Sequence, residues 1–132
     1  MKYIKPFFFL SFVFTLFSCK KDDIIPKPSP IKSAKFEITG TYSGNIFLVY
    51  NNNLSGNTTL TITSLPWSKT IDYASNVQGI GISGNAVFQS GGSIGQTASL
   101  KIYNGNNIVA QSNKISDANG VFNFDALAYV FP

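Results

Sequence analysis

Apolar and polar residues alternate with a period of two through most of the chain after residue 35. Phe36 and Ile38 alternate with Glu37 and Thr39, and later segments repeat the pattern. Because successive side chains of a β-strand point to opposite faces, this period predicts strands with one buried face. No segment has the apolar spacing of an amphipathic helix over three turns. Strands are expected near residues 36–39, 46–50, 59–64, 86–88, 98–103, 108–110 and 122–130.

Residues typical of turns separate these segments. Asn104-Gly105-Asn106 is the strongest hairpin signal in the chain. Gly79-Ile80-Gly81-Ile82 is expected to form a bulged or bent edge strand, because glycine weakens a regular strand. The pattern predicts an all-β fold over residues 35–132, an immunoglobulin-like antiparallel β-sandwich of about seven or eight strands.

The first 18 residues have the plan of a removable secretory signal. Lys2 and Lys5 precede an apolar run over residues 7–17, which is shorter than the roughly 20 residues that a membrane-spanning helix needs. The run ends in Leu-Phe-Ser-Cys, which resembles a bacterial lipobox, and the resemblance implies lipidation and cleavage at Cys19. Cys19 is the only cysteine, so it has no disulfide partner within the chain. An ordinary signal with a chance cysteine, or an uncleaved anchor, are the alternatives.

Residues 19–34 are predicted to form a tether between the lipid and the domain. Lys-Asp-Asp at residues 21–23 resembles the surface-export signal of lipoproteins in the Bacteroidetes. That resemblance implies a lipid-anchored protein of the bacterial outer membrane, exposed at the cell surface. The alternative is a charged linker on a lipoprotein that faces the periplasm. Alternating prolines at positions 26, 28 and 30 hold the chain extended, as in a semi-rigid spacer.

Charge and composition exclude several classes of function. The chain has ten lysines and no arginine, and from residue 35 onward four lysines balance four acids. This domain therefore lacks the clustered basic face of a nucleic-acid-binding protein. It also lacks histidine, the usual general base at neutral pH. Asp117-Ala118-Asn119-Gly120 is interpreted as a β-turn rather than a calcium loop, because ligands are missing. We expect no enzymatic activity, no cofactor and no metal site.

Two segments carry a resemblance to a known family. Phe36-Glu37-Ile38-Thr39-Gly40 and Leu65-Pro66-Trp67-Ser68-Lys69-Thr70, followed by a strand into Asn104-Gly105, resemble the mycobacterial small membrane protein (MmpS) family. The resemblance implies a non-enzymatic β-sandwich that accompanies a large transporter. Those proteins usually have a transmembrane helix, whereas this chain has a lipoprotein leader. The implied fold therefore transfers better than the implied transporter partner.

The candidate binding residues are Trp67 and Tyr73. Trp67 either anchors the sandwich core or is exposed, stacking on a sugar or docking on a partner. Tyr73 and the tyrosines at positions 42, 50, 103 and 129 could extend an exposed platform. We therefore expect a membrane-anchored accessory module that contacts an envelope or transporter protein. The alternative is a surface module that binds a carbohydrate or another ligand.

Lipidation at Cys19 is directly testable. Changing Cys19 to Ala removes the thiol that would carry the lipid, so the domain should move from the membrane fraction to the soluble fraction without unfolding. Ultracentrifugation of cell lysates, with circular dichroism of the released protein, measures both. A variant that still sediments as an integral membrane protein would indicate an uncleaved anchor.

Overall fold

A computed structural model describes residues 32–132, which form two antiparallel sheets. The predicted signal peptide (1–18), Cys19 and the tether up to residue 31 lie outside the described residues. Within residues 32–132, no helix is long and apolar enough to cross a membrane. The strands are β1 (Lys32–Gly40), β2 (Ile46–Asn51), β3 (Asn57–Ile62), β4 (Trp67–Tyr73), β5 (Gly79–Ala86), β6 (Thr97–Asn104), β7 (Asn107–Ile115), β8 (Phe122–Asn123) and β9 (Leu127–Val130), with a 3₁₀ turn at Asn53–Ser55.

The two sheets confirm the predicted all-β fold. The four-stranded sheet has the order β4-β1-β6-β7, and the five-stranded sheet has the order β3-β2-β5-β8 with β9 also paired to β5. Every pairing is antiparallel. The predicted hairpin joins β6 to β7 through two residues, and Gly105 at its first position has a φ of +59°. A turn of this length that matches the strand twist needs a positive φ there.

The core lies between the inner faces of the two sheets. Phe36 and Ile38 of β1 are fully buried, as are Leu100 and Ile102 of β6. Ile46, Leu48 and Tyr50 face them from β2. Burial of one such side chain contributes about 1.5–3 kcal/mol. The residues between them on β1, β2 and β6 are less buried, so the predicted alternation is confirmed in these strands.

Four features of the strands differ from the sequence-based expectation. The strand expected at residues 86–88 is absent, because β5 ends at Ala86 and residues 87 and 88 lie in the loop that follows. β1 begins at Lys32, three residues inside the predicted tether, and the Lys32 Nζ donates to the Val77 carbonyl at 2.8 Å. β4 is not among the strands that the alternation predicts, and at its inner-face position opposite the buried Phe36 it has Lys69 rather than an apolar residue. The last predicted strand divides into β8 and β9. Between them, the backbone N–H of Asp125 donates to Ser112 Oγ on β7 at 3.0 Å.

The expectation of an edge strand at residues 79–82 is met only in part. These residues begin β5 and pair with β9, and only Ile82 among them also pairs with β2, whereas β5 as a whole lies between β2 on one side and β8 and β9 on the other. Glycine is required within this central strand for close packing. A Cβ on Gly84 would lie 2.5 Å from Leu48 Cδ2 and 2.6 Å from the Phe47 carbonyl oxygen. The missing side chain therefore makes room for a core leucine of the neighbouring strand.

Tyr42 joins the loops at the end of the sandwich opposite Lys32, which we call the distal end. The Tyr42 ring is 3% exposed. Its hydroxyl donates to the Gly120 carbonyl at 2.8 Å and hydrogen-bonds to Ser90 Oγ at 2.5 Å. A Cβ on Gly92 would collide with the Tyr42 ring. One buried hydroxyl thus holds three separate loops together.

Two glycines of β5 provide a matched test of the close packing between Gly84 and Leu48. Gly84→Ala should lower the free energy of unfolding by about 1–3 kcal/mol, because the added methyl overpacks the core against Leu48. Gly79→Ala should be neutral or mildly stabilising, since the nearest atom to its Cβ would be the Tyr129 carbonyl oxygen at 3.4 Å. Urea unfolding midpoints measure both. Equal effects of the two substitutions would contradict the close packing at Gly84.

Candidate functional site

Trp67 lies at the start of β4, directly opposite Ile38 of β1. It is half-buried and packs against the core cluster together with Leu65. The peptide bond between Leu65 and Pro66 is cis. The segment that carries the sequence resemblance therefore forms part of the wall of the sandwich at the outer strand of the four-stranded sheet.

Tyr73 lies in the core rather than on a surface. It is 3% exposed, its hydroxyl donates to the Asn51 carbonyl at 2.8 Å, and its ring centroid is 5.6 Å from that of Phe131. Burial raises the pKa of Tyr73 to about 12. A ligand cannot stack on a ring in this position, so the proposed binding role of Tyr73 does not fit its burial.

The other tyrosines also fail to form an exposed platform. Tyr42 and Tyr50 are buried. Tyr103 and Tyr129 are half-buried, and both hydroxyls are bonded: Tyr103 donates to Glu37 Oε1 at 2.8 Å, and Tyr129 accepts from Asn104 Nδ2 at 2.6 Å. Within residues 32–132 the five tyrosines are used for packing and internal hydrogen bonds.

The outer face of the four-stranded sheet carries polar side chains that bond to one another. Lys35 Nζ lies 2.8 Å from Glu37 Oε2 and 4.2 Å from the centroid of the Tyr103 ring. The hydrogen bond from Lys35, supported by the one from Tyr103, lowers the pKa of Glu37. The same carboxylate raises the pKa of both of its donors. Ser99 and Asn113 pair nearby at 2.6 Å.

One side of the sandwich is closed by contacts between the sheets. Ser112 Oγ of β7 donates to Asp125 Oδ2 at 2.9 Å, and Lys114 Nζ donates to Asp125 Oδ1 at 2.8 Å. The hydrogen bond from Lys114 is the main reason that the pKa of Asp125 is lowered. These bonds join β7 to the connection between β8 and β9, so the edge of the four-stranded sheet is covered here.

On the opposite side, formed by β3 and β4, Asn53 of the 3₁₀ turn joins the two sheets, because its Nδ2 donates to the Asp72 carbonyl at 3.0 Å. The outer edge of β3 itself has no neighbouring strand within residues 32–132. β3 pairs only with β2, and its sequence Asn-Thr-Thr-Leu-Thr-Ile contains no charged residue and no proline. In β4 the Lys69 Nζ reaches between the sheets, 5.6 Å from the centroid of the Tyr50 ring. An inward lysine is one means by which natural edge strands resist pairing with other chains. β3 has no such residue, so its edge is available for pairing.

The outer face of the five-stranded sheet has an exposed apolar centre that the sequence reasoning missed. Phe47 and Val49 are each 41% exposed there, and both line a shallow depression of about 460 Å³. The signal was present in residues 46–50, where every position is apolar although a half-buried strand needs only alternate apolar residues.

In the described residues 32–132, no three His, Cys, Asp or Glu side chains lie close enough together to hold a metal ion. The predicted β-turn at residues 117–120 is confirmed, because Gly120 N donates to the Asp117 carbonyl at 3.0 Å. Asp117 Oδ1 accepts from the backbone N–H groups of Asn119 and Val121 at 2.8 and 2.9 Å.

No family model matches the chain, and no curated protein matches it.

The burial of Tyr73 predicts a pH dependence of stability. A phenol whose pKa is higher in the folded state than the ordinary value of 10 stabilises the fold below pH 10, and that contribution is lost as pH rises toward about 12. Tyr73→Phe should remove this alkaline loss, and it should also cost about 1 kcal/mol at neutral pH because Asn51 loses a donor. Unfolding free energies between pH 8 and 12 measure both effects. If the Tyr73 hydroxyl instead ionises near the ordinary value of 10, its burial is contradicted.

Proposed function

We propose that this protein is a non-enzymatic lipoprotein of the bacterial cell envelope, anchored in the outer membrane through Cys19 and displayed at the cell surface. Its β-sandwich acts as an accessory module that binds an envelope or transporter protein. The binding element is the edge of β3, which accepts an extended segment of the partner as an additional strand. The free, uncharged edge of β3 is the observation that carries this proposal.

Strand neighbours support an immunoglobulin-like topology. In immunoglobulin domains strand B neighbours E, strand C neighbours both F and C′, and G neighbours F. The pairs β1·β4, β2·β5, β2·β3 and β5·β9 have the same relations. β6 then occupies the place next to B that strand A takes in those domains. On this proposal the β6–β7 hairpin is an addition to an immunoglobulin-like core, inserted before its last strand.

The edge of β3 has the chemistry that strand addition requires. Its outer backbone N–H and C=O groups pair with no other strand of residues 32–132. Leu60 lies opposite the buried Leu48 and is 36% exposed, so it offers apolar area beside the free backbone groups. In strand addition, main-chain hydrogen bonds supply affinity, and alternate side chains supply specificity.

The partner's chemistry follows from the same edge. An edge without charge offers no ion pair to an acidic or a basic segment, so main-chain pairing supplies the affinity and the partner segment is extended and rich in the β-branched residues that favour strands. An accessory domain of a transporter, as the resemblance to the mycobacterial small membrane protein family implies, would meet such segments in the envelope. The half-buried Trp67 is consistent with a packing role and agrees with recognition at the sheet edge.

Photo-crosslinking in cells tests the edge directly. A crosslinking amino acid placed at Thr59 or Thr61 in the full chain should capture one discrete envelope protein. The same amino acid at Ser68 or Thr70 of β4, which are also exposed, should not. Leu60→Lys should reduce the captured adduct at least tenfold, because it places a lysine on β3 at an inner-face position like that of Lys69 on β4.

The control substitution is Thr70→Lys, which adds the same charge on the outer strand of the other sheet and should leave capture unchanged. Circular dichroism checks that both variants remain folded. Adducts that are equally strong from β3 and β4, or that Leu60→Lys leaves unchanged, would contradict recognition through β3.

A further inference from the structure

Side chains on the outer face of the five-stranded sheet form two short rows across the strands. In the first row, the strand register places Thr61, Phe47, Asn85 and Asn123 side by side. With strands about 4.8 Å apart, this row is about 14 Å long. In the second row, about 6.8 Å away along the strands, Val49 lies between Thr59 and Ser83. Each row therefore has an apolar residue flanked by neutral polar residues.

The polar side chains of these rows have no hydrogen-bond partner in the described part of the chain. The internal hydrogen bonds of residues 32–132 include none from the hydroxyls of Thr59, Thr61 and Ser83, or from the amides of Asn85 and Asn123. On the outer face of the other sheet, by contrast, Lys35, Glu37 and Tyr103 bond to one another. The five-stranded sheet thus presents donors and acceptors that remain available to a ligand.

The rows contain no charged residue, which restricts the ligand. A phosphate or carboxylate ligand would require a cation or several aimed N–H groups, and the depression is lined by neither lysine nor acid. Its volume of about 460 Å³ lies in the range of about 300–1,000 Å³ that is common for small-ligand sites. An exposed phenylalanine ring offers a flat apolar surface, and the hydroxyls and amides beside it offer both donors and acceptors.

We propose that the outer face of the five-stranded sheet binds a neutral carbohydrate. A sugar ring has an apolar face of C–H groups and a rim of hydroxyls. The apolar face packs on Phe47, and the rim hydroxyls exchange hydrogen bonds with Asn85 and Asn123 on one side and with Thr61 on the other. The 14 Å row has room for more than one sugar unit, so the ligand class is an oligosaccharide or polysaccharide chain rather than a single sugar.

This site is separate from the edge that we propose for the protein partner. Thr59 and Thr61 belong to β3, but their side chains are on the outer face, whereas Leu60 is on the inner face by register. Leu60 also lines the depression, so the variant that separates the two proposals is Phe47→Ala on β2. It should weaken carbohydrate binding and leave capture of the partner at the backbone edge of β3 within twofold of the unchanged protein. The two proposals fail independently.

Affinity electrophoresis provides the test. The full chain is purified in a polyoxyethylene detergent, which has no sugar headgroup, and run in gels containing dextran, mannan, galactan or xylan. We expect retardation by at least one of these neutral polymers, with little change between 50 and 500 mM salt, because no charges are paired. Phe47→Ala and Asn85→Ala should each weaken the binding at least tenfold.

Tyr103→Ala on the outer face of the other sheet is the matched control, since it also removes an aromatic side chain but leaves both rows intact. Its affinity should stay within twofold of the unchanged protein. The proposal is overturned if none of the four polymers retards the protein. Equal loss of binding in Phe47→Ala and Tyr103→Ala would also overturn it, as would retention of full affinity in Phe47→Ala when circular dichroism shows that variant to be folded.

Discussion

Burial of alternate side chains between the two sheets is the constraint on which the rest of this structure depends. Phe36 and Ile38 from one sheet, and Ile46 and Leu48 from the other, are removed from water almost completely. Once each strand has turned one set of side chains inward, the other set must face solvent, because the side-chain period of a strand is two. The core therefore decides which residues can serve in recognition, and it removes Tyr73 from that group.

The two outer faces use their polar residues differently. On the four-stranded sheet, Lys35, Glu37 and Tyr103 satisfy one another and present a closed network. On the five-stranded sheet, Asn85 and Asn123 lie in one row beside the exposed Phe47, and their side chains have no internal hydrogen-bond partner in residues 32–132. A surface whose polar groups are already paired gains little by binding a polar ligand, whereas unpaired groups can exchange water for ligand atoms at small cost. This asymmetry favours the outer face of the five-stranded sheet as the face that binds a polar ligand.

The edges of the sheets are asymmetric as well. Ser112, Lys114 and Asp125 close the side where β7 meets the connection between β8 and β9, and Lys69 protects the edge of β4. β3 combines a free edge with a sequence that lacks charge. β9 also lacks charge and pairs only with β5, but it lies on the side of the sandwich where it contacts β7. At the distal end, hydrogen bonds of the Tyr42 hydroxyl link the loops that connect the strands. The proposed tether would join the sandwich at Lys32, at the other end.

The sequence by itself determined the fold class, most strand positions, the β6–β7 hairpin and the turn at residues 117–120, because period-two alternation and turn chemistry are local properties. It could not reveal that β5 is central, since glycine in a strand indicates either a weak edge or a close approach, and only the neighbouring Leu48 decides between them. It also could not separate Tyr73 from an exposed tyrosine, because burial depends on what the opposite sheet places above the ring. The depression beside Phe47 and the free edge of β3 likewise arise from residues far apart in the chain, which only the pairing of strands brings together.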